Sequence, residues 1–393
     1  MKEFKINIKG RVKNFTLPEN KSLIPLFEAV VNSLQAIEER RRIESFDGEI
    51  SIKIEREETL SDEILGHIEN ITITDNGIGF NEDNFNSFLE SDSDYKNEIG
   101  GKGVGRFSWL KAFKNVSIDS CFFYDGKYYK RAFEFALDIS GINDEVVACD
   151  NTDVKTTVKL CSFLDKYKAN SPVSIESIAI KLIQHCFVYF LNKACPQIIL
   201  SDDKGNKVNL NEFFAEKIAV EKGTDIFIIG NNQFALTKIR VDGAIINSHK
   251  LYLCANSRLV EAKDLSKYIV NLDKALDVEE PFWCLGIITS KYLDNNVDMN
   301  RLSFTIPETA EDGFAPLVTM NKIVTKSVDL IEEYLSDYLK PIAEEKKKRI
   351  ERYVSTQVPQ YRHLLKYMSS EIEKIKPGVS DEKLDAISAR SGF

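Results

Sequence analysis

The sequence predicts an α/β protein of two or three domains that closes in a helical region, and three observations point there. The chain has 393 residues, beyond the size at which a single hydrophobic core usually stops growing. Early in the chain Leu23, Leu26, Phe27, Val30, Val31, Leu34 and Ile37 recur at helical spacing. Further on, apolar residues alternate with polar ones, as in Ile50, Ile52 and Ile54, which is the period of strands.

In order along the chain, Phe4, Ile6 and Ile8 alternate with Lys5 and Asn7, the pattern of a short opening strand or arm. Ser22 then precedes the apolar stripe, so a helix is expected over about 22–42, with Pro25 tolerated in its first turn. Two strands follow, and the second, through Ile68, Ile71 and Ile73, runs into Thr74, Asp75, Asn76 and Gly77. Residues 80–99 are rich in Asn, Asp, Glu and Ser and lead into Gly100, Gly101, Gly103 and Gly105, the composition of a lid. Strands are expected over 116–124, 128–137 and 156–160, with a turn at Asp125 and Gly126. A helix over 175–191 leads to a second α/β region with strands near 226–229, 236–241 and 251–254. Between Leu317 and Lys376 glycine is missing, which predicts a helical tail interrupted at Pro359.

Composition excludes several classes. No apolar stretch approaches the ~20 residues of a membrane-spanning helix, and residues 1–10 do not read as a secretory signal. Seven cysteines without a CxxC pair argue against a disulfide framework or zinc ribbon and read as reduced thiols of a cytoplasmic protein. A net charge of -9 argues against a wholly basic nucleic-acid binder, while leaving room for a local basic face such as Lys346, Lys347, Lys348, Arg349 and Arg352. The same run is equally the solvated face of a charged helix.

Three segments hold the chemistry. Glu28 and Asn32 lie four apart on the first helix and share a face. A carboxylate there can take a proton from water, and a neutral amide oxygen can ligate magnesium. Alone, the pair is equally a polar stripe. Asp75, Gly77 and Gly79 follow a strand, where a carboxylate can accept from an exocyclic amine and glycines let a flat base come close. Alone, that is also ordinary turn chemistry. Finally, the run Gly100-Gly101-Lys102-Gly103-Val104-Gly105-Arg106 precedes a helix start, where turned backbone N–H groups and the helix dipole favour a polyphosphate. It is neither a Walker loop nor a Rossmann turn.

In this order and spacing the three segments resemble the nucleotide-binding motifs of the gyrase, heat-shock-chaperone, histidine-kinase and MutL (GHKL) superfamily, in the style of its chaperone, MutL and MORC branch. The resemblance spans about 23–160. It implies a Bergerat-type sandwich of helices on a mixed sheet over 1–165, an α/β transducer-like domain over 166–310 and a helical region over 311–393. It also implies ATP and Mg2+ as cofactors and ATP hydrolysis coupled to homodimerisation. By resemblance Glu28 is the general base, Asn32 the magnesium ligand, Asp75 the adenine contact, and Gly77 and Gly79 the pocket floor. Gly101, Lys102, Gly103, Val104, Gly105 and Arg106 would wrap the phosphates. Thr156 stands where the family has a Gly-Thr pair behind the aspartate; Lys155 replaces the glycine, and Thr157 is the alternative.

The segment Leu253-Cys254-Ala255-Asn256-Ser257-Arg258-Leu259-Val260 resembles a strand and turn of the family's second domain. That domain lends a basic residue to the γ-phosphate, for which Arg301 is preferred over Lys291. His67, His185, His249 and His363 share no metal-ligand spacing, and His185 reads as a core residue. DNA or a protein is the expected partner, with no membrane association. A histidine-type protein kinase and a non-hydrolysing ATP sensor are the competing readings. Glu28 and the position of His363 in the tail disfavour the kinase.

Overall fold

The computed structural model describes residues 8–59, 65–90, 105–137, 145–150, 153–192, 194–243, 245–298, 302–309, 318–359, 369–382 and 384. It is a mixed α/β structure of two compact units. The first comprises residues up to Glu216 together with Asn256–Leu259 and Asp298–Ser303, and the second comprises the remainder.

Among the described residues the first unit begins with α1 (Ile8–Asn14), so Ile8 is helical, while Phe4 and Ile6 of the expected opening strand lie outside the described residues. The 18-residue α2 (Ile24–Arg41) follows, with Pro25 in its first turn and Arg40 and Arg41 in its last, where cations suit the helix dipole. Its buried stripe includes Leu26, Val30, Val31, Leu34 and Ile37, each of which stabilises the fold by roughly 1.5–3 kcal/mol through burial. Next come β1 (Glu49–Arg56), β2 (Ile68–Asp75), α3 (Glu82–Leu89) and α4 (Gly105–Ala112). β3 (Phe113–Tyr124) and β4 (Lys127–Ala136) form a hairpin whose turn residues, Asp125 at φ 45° and Gly126 at φ 78°, both take the left-handed backbone such turns need. β5 (Glu145–Ala148) and β6 (Lys155–Phe163) lead to the short helices α5 (Asp165–Lys168), α6 (Ile175–His185) and α7 (Phe187–Phe190). The helix expected over 175–191 therefore breaks, at Cys186.

The first unit runs beyond residue 165, where the sequence reading ends its first domain. The reason is β7 (Gln197–Asp202), which pairs in parallel with β1 and is flanked by β8 (Lys207–Asn209). The eight-stranded sheet has the order β5-β4-β3-β6-β2-β1-β7-β8, and all its other pairings are antiparallel. Burial alternates along β1, β2 and β6, so one row of side chains on each strand is enclosed, and α2 packs on β1 and β2.

The second unit takes in the last residue of α8 (Leu210–Lys217) and continues with β9 (Ile218–Ile229), β10 (Asn232–Val241), β11 (Lys250–Ala255), β12 (Arg258–Asp264) and β13 (Trp283–Thr289). The sheet order is β12-β11-β13-β10-β9. α9 (Lys291–Asn295), α10 (Met320–Tyr334), α11 (Ser336–Gln357) and α12 (Ser369–Lys374) follow. The tail is helical and its long helix ends before Pro359 as expected, but it belongs to this second unit instead of standing apart. Met320, Ile323, Ile331, Leu335 and Leu339 share one apolar core with Leu236, Leu251, Leu253 and Ile288, and Ile331 fits where Gly286 lacks a side chain.

The basic run of α11 does not form a uniform stripe. Lys346 is buried and donates to Asn271 Oδ1 and to the carbonyls of Glu373 and Ile375, while Arg349 binds Pro377, Val379 and Asp381. Among the described residues no helix is long and apolar enough to cross a membrane. The seven cysteines are all unbridged.

Candidate functional site

The candidate site lies within the first unit and grows from the register of its central strands. Across β3, β6 and β2 the enclosed rows read Val116, Leu160, Ile71, then Ile118, Val158, Ile73, and finally Ser120, Thr156, Asp75. Two apolar rows thus give way to a polar one on the same buried face. Asp75 and Thr156 are 5% and 4% exposed, and Ser120 is fully enclosed. Buried polar groups are costly unless they are hydrogen-bonded. These groups are satisfied: Ser33 Oγ of α2 donates to Asp75 Oδ2 at 2.7 Å, the Gly77 amide donates to Oδ1 at 2.9 Å, and the Ser120 and Thr156 hydroxyls share a bond of 2.9 Å. Thr157 points to the other face, where its hydroxyl meets that of Thr74 at 3.1 Å, so Thr156 is the threonine on the face of Asp75.

The turn after β2 is tied down at each step. Asn76 Oδ1 accepts from the Glu49 amide, Arg40 donates to the Asn76 carbonyl at 2.7 Å, and the Ile78 amide donates to the Ala36 carbonyl of α2 at 3.0 Å. Two glycines are required here. A Cβ on Gly77 would lie 2.7 Å from Ala36 atoms, and Gly79, at φ +80°, would place one 2.8 Å from Phe122 Cβ. The chain leaves the turn held by Arg131, a fully buried guanidinium that donates to the Phe80 and Asn81 carbonyls and to Glu82 and stacks over Phe85.

Glu28 is buried on α2, and Asn32, one turn later, is exposed. The start of α4 is pressed against the Glu28 carboxylate, since a Cβ on Gly105 would stand 2.2 Å from Oε2. Arg106 is placed differently from a phosphate-facing cation. Its guanidinium donates to the Glu90 carbonyl at 2.7 Å and lies beside Phe88 and Phe107, and burial lowers its pKa to about 10. Gly101, Lys102, Gly103 and Val104 lie outside the described residues, as does Arg301; Lys291 is the first residue of α9 in the second unit.

Sequence reasoning missed three side chains of this site. Ser33 and Ser120 were open to detection as polar residues at enclosed positions of an apolar pattern. Arg258 follows a two-residue turn in which Asn256 and Ser257 have φ of 52° and 61°, and its Nη1 donates to Glu28 Oε1 and Oε2 at 2.8 and 2.9 Å. His185 stacks on Phe27 with 4.6 Å between ring centroids. Its ring is partly exposed, but Nε2 is enclosed without a hydrogen-bond partner among the described residues. Burial first, and Arg258 second, lower its pKa to about 4, so it is neutral at physiological pH.

The arrangement offers a fixed carboxylate beside a two-glycine turn, a second carboxylate against the start of α4, and an exposed amide one helical turn after that second carboxylate. A planar base with an exocyclic amine suits the first, because each carboxylate oxygen accepts more than one hydrogen bond. The chain matches no protein-family model and no curated protein.

Proposed function

We propose that the first unit binds ATP and, with magnesium, hydrolyses it, within a Bergerat-type arrangement of helices on the mixed sheet. The observation that supports this most is the polar row Asp75–Thr156–Ser120 beneath α2, closed by Ser33 and followed by the tight turn of Gly77 and Gly79. On this reading Asp75 accepts the adenine amino group. Asn32 supplies one neutral oxygen to magnesium, which would shield phosphate charge when bound.

Glu28 is the general base. A water gives its proton to the carboxylate as its oxygen bonds the terminal phosphorus and the bond from that phosphorus to the bridging oxygen breaks, releasing ADP and phosphate. By the resemblance of the sequence motif, Gly101, Lys102, Gly103, Val104, Gly105 and Arg106 would bind the phosphates. Arg106 would have to leave the Glu90 carbonyl to take part. Nucleotide-dependent homodimerisation, with DNA or a protein as the object of the conformational change, completes the proposal.

The test is magnesium-dependent phosphate release by the purified chain, together with its mass in solution with and without ATP. Release with ATP-dependent dimers supports the proposal. ATP binding without release would favour a sensor, and no binding would remove the proposal.

A further inference from the structure

Arg258 is brought to Glu28 across 230 positions of sequence, and its side chain is 2% exposed against 10% for that of Glu28. The segment Asn256–Leu259 packs with the first unit although the strands on either side belong to the second. Asn256 and Ser257 take the left-handed backbone of a two-residue turn between the neighbouring strands β11 and β12, which sets Arg258 at the first position after the turn.

Among the described residues both side-chain hydrogen bonds of Arg258 end on this one carboxylate, and its Nε is enclosed with no partner. A buried ion pair is a poor device for stability alone, because apolar residues of similar volume often do as well or better. It is a good device for orientation. A glutamate has three rotatable bonds, and a single nitrogen placed between its two oxygens fixes the carboxylate plane. On the other side, the missing side chain of Gly105 leaves room for Oε2 at the start of α4. Each carboxylate oxygen has two lone-pair sites, and Arg258 uses one on each.

We infer that Arg258 is a positioning residue for Glu28, holding the general base at the angle and reach that water activation requires. The inference rests on the ATPase reading of the same site. A general base works only within hydrogen-bond reach of the proton it takes, and misplacement by about 1 Å can cost on the order of 100-fold in rate.

The experiment measures single-turnover hydrolysis of terminally labelled ATP, equilibrium ATP binding and the thermal midpoint for the full chain. It compares wild type, Arg258→Gln, Arg258→Lys, Glu28→Ala and the double variant Glu28→Ala/Arg258→Gln. Arg258→Gln is expected to slow turnover by ~10–100-fold while ATP affinity stays within about threefold. Arg258→Lys should recover part of the rate, and Arg258→Gln should add nothing in the Glu28→Ala background, because both act through one carboxylate. Wild-type turnover in Arg258→Gln, or an equal fractional loss with and without Glu28, overturns the inference and leaves a structural ion pair. Wild type without turnover removes the ATPase reading itself, and that is seen before any variant is compared.

Discussion

Thr156 stands directly across the β2–β6 ladder from Asp75, and the bond between Thr156 and Ser120 continues the polar row onto β3. The aspartate carboxylate itself is held by Ser33 of α2 at one oxygen and by the Gly77 amide at the other. A carboxylate anchored in this way is preorganised to receive a donor without first losing side-chain freedom.

Asp75→Asn keeps the size of the side chain and removes the charge. It is expected to weaken ATP binding by at least ~10–100-fold, the loss of one charge-assisted bond of about 1.5–3 kcal/mol. Titration calorimetry reads the affinity, and a thermal midpoint close to that of wild type separates lost binding from lost folding.

The two glycines of the turn give a stability prediction. Gly79→Ala forces a side chain onto a left-handed backbone and against Phe122, and the expected cost is about 1–3 kcal/mol in urea unfolding. Gly77→Ala, pressed onto Ala36, should cost a comparable amount and weaken ATP binding as well.

Glu28→Ala should bind ATP and lose hydrolysis by ~10²–10⁴-fold, the usual contribution of a general base. Gly105→Ala tests the same carboxylate from the other side. Glycine to alanine within a helix ordinarily stabilises by up to about 1 kcal/mol, but here the new methyl would stand where Glu28 Oε2 lies. The expected result is slowed hydrolysis, read by phosphate release.

His185 makes stability depend on pH. Its folded pKa of about 4 lies below the ordinary histidine value of 6.5, so the unfolded chain takes up a proton that the folded chain does not. The contribution is fully present above pH 6.5 and is lost as pH falls toward about 4. Because the ring is partly exposed, the expected loss is about 1–3 kcal/mol. His185→Phe, which keeps the stacking on Phe27, should flatten that part of the profile in chemical unfolding at pH 7, 6, 5 and 4.

Much of the first unit is legible in the sequence because its burial is one-sided. α2 and the strands β1, β2, β3, β4 and β6 each impose a period on their own residues, and a period can be read locally. The parallel pairing of β7 with β1 leaves no such mark, since the partners are almost 150 residues apart and only the folded chain sets their register. The same holds for Arg258 with Glu28 and for Lys346, whose charge suggests solvent while oxygens of Asn271, Glu373 and Ile375 turn it inward. Asp75, Gly77 and Gly79 are legible because a tight turn after a strand demands these residue types. Ser33 and Ser120 show only as interruptions of an apolar row, and their role emerges when the strands are in register.

The most direct test of the central claim is equilibrium binding of ATP to wild type and Asp75→Asn in the presence of magnesium, with both proteins shown to be folded. The account predicts saturable binding by wild type and its loss in the variant. Equal affinity in the two proteins, or no binding by wild type, would contradict it.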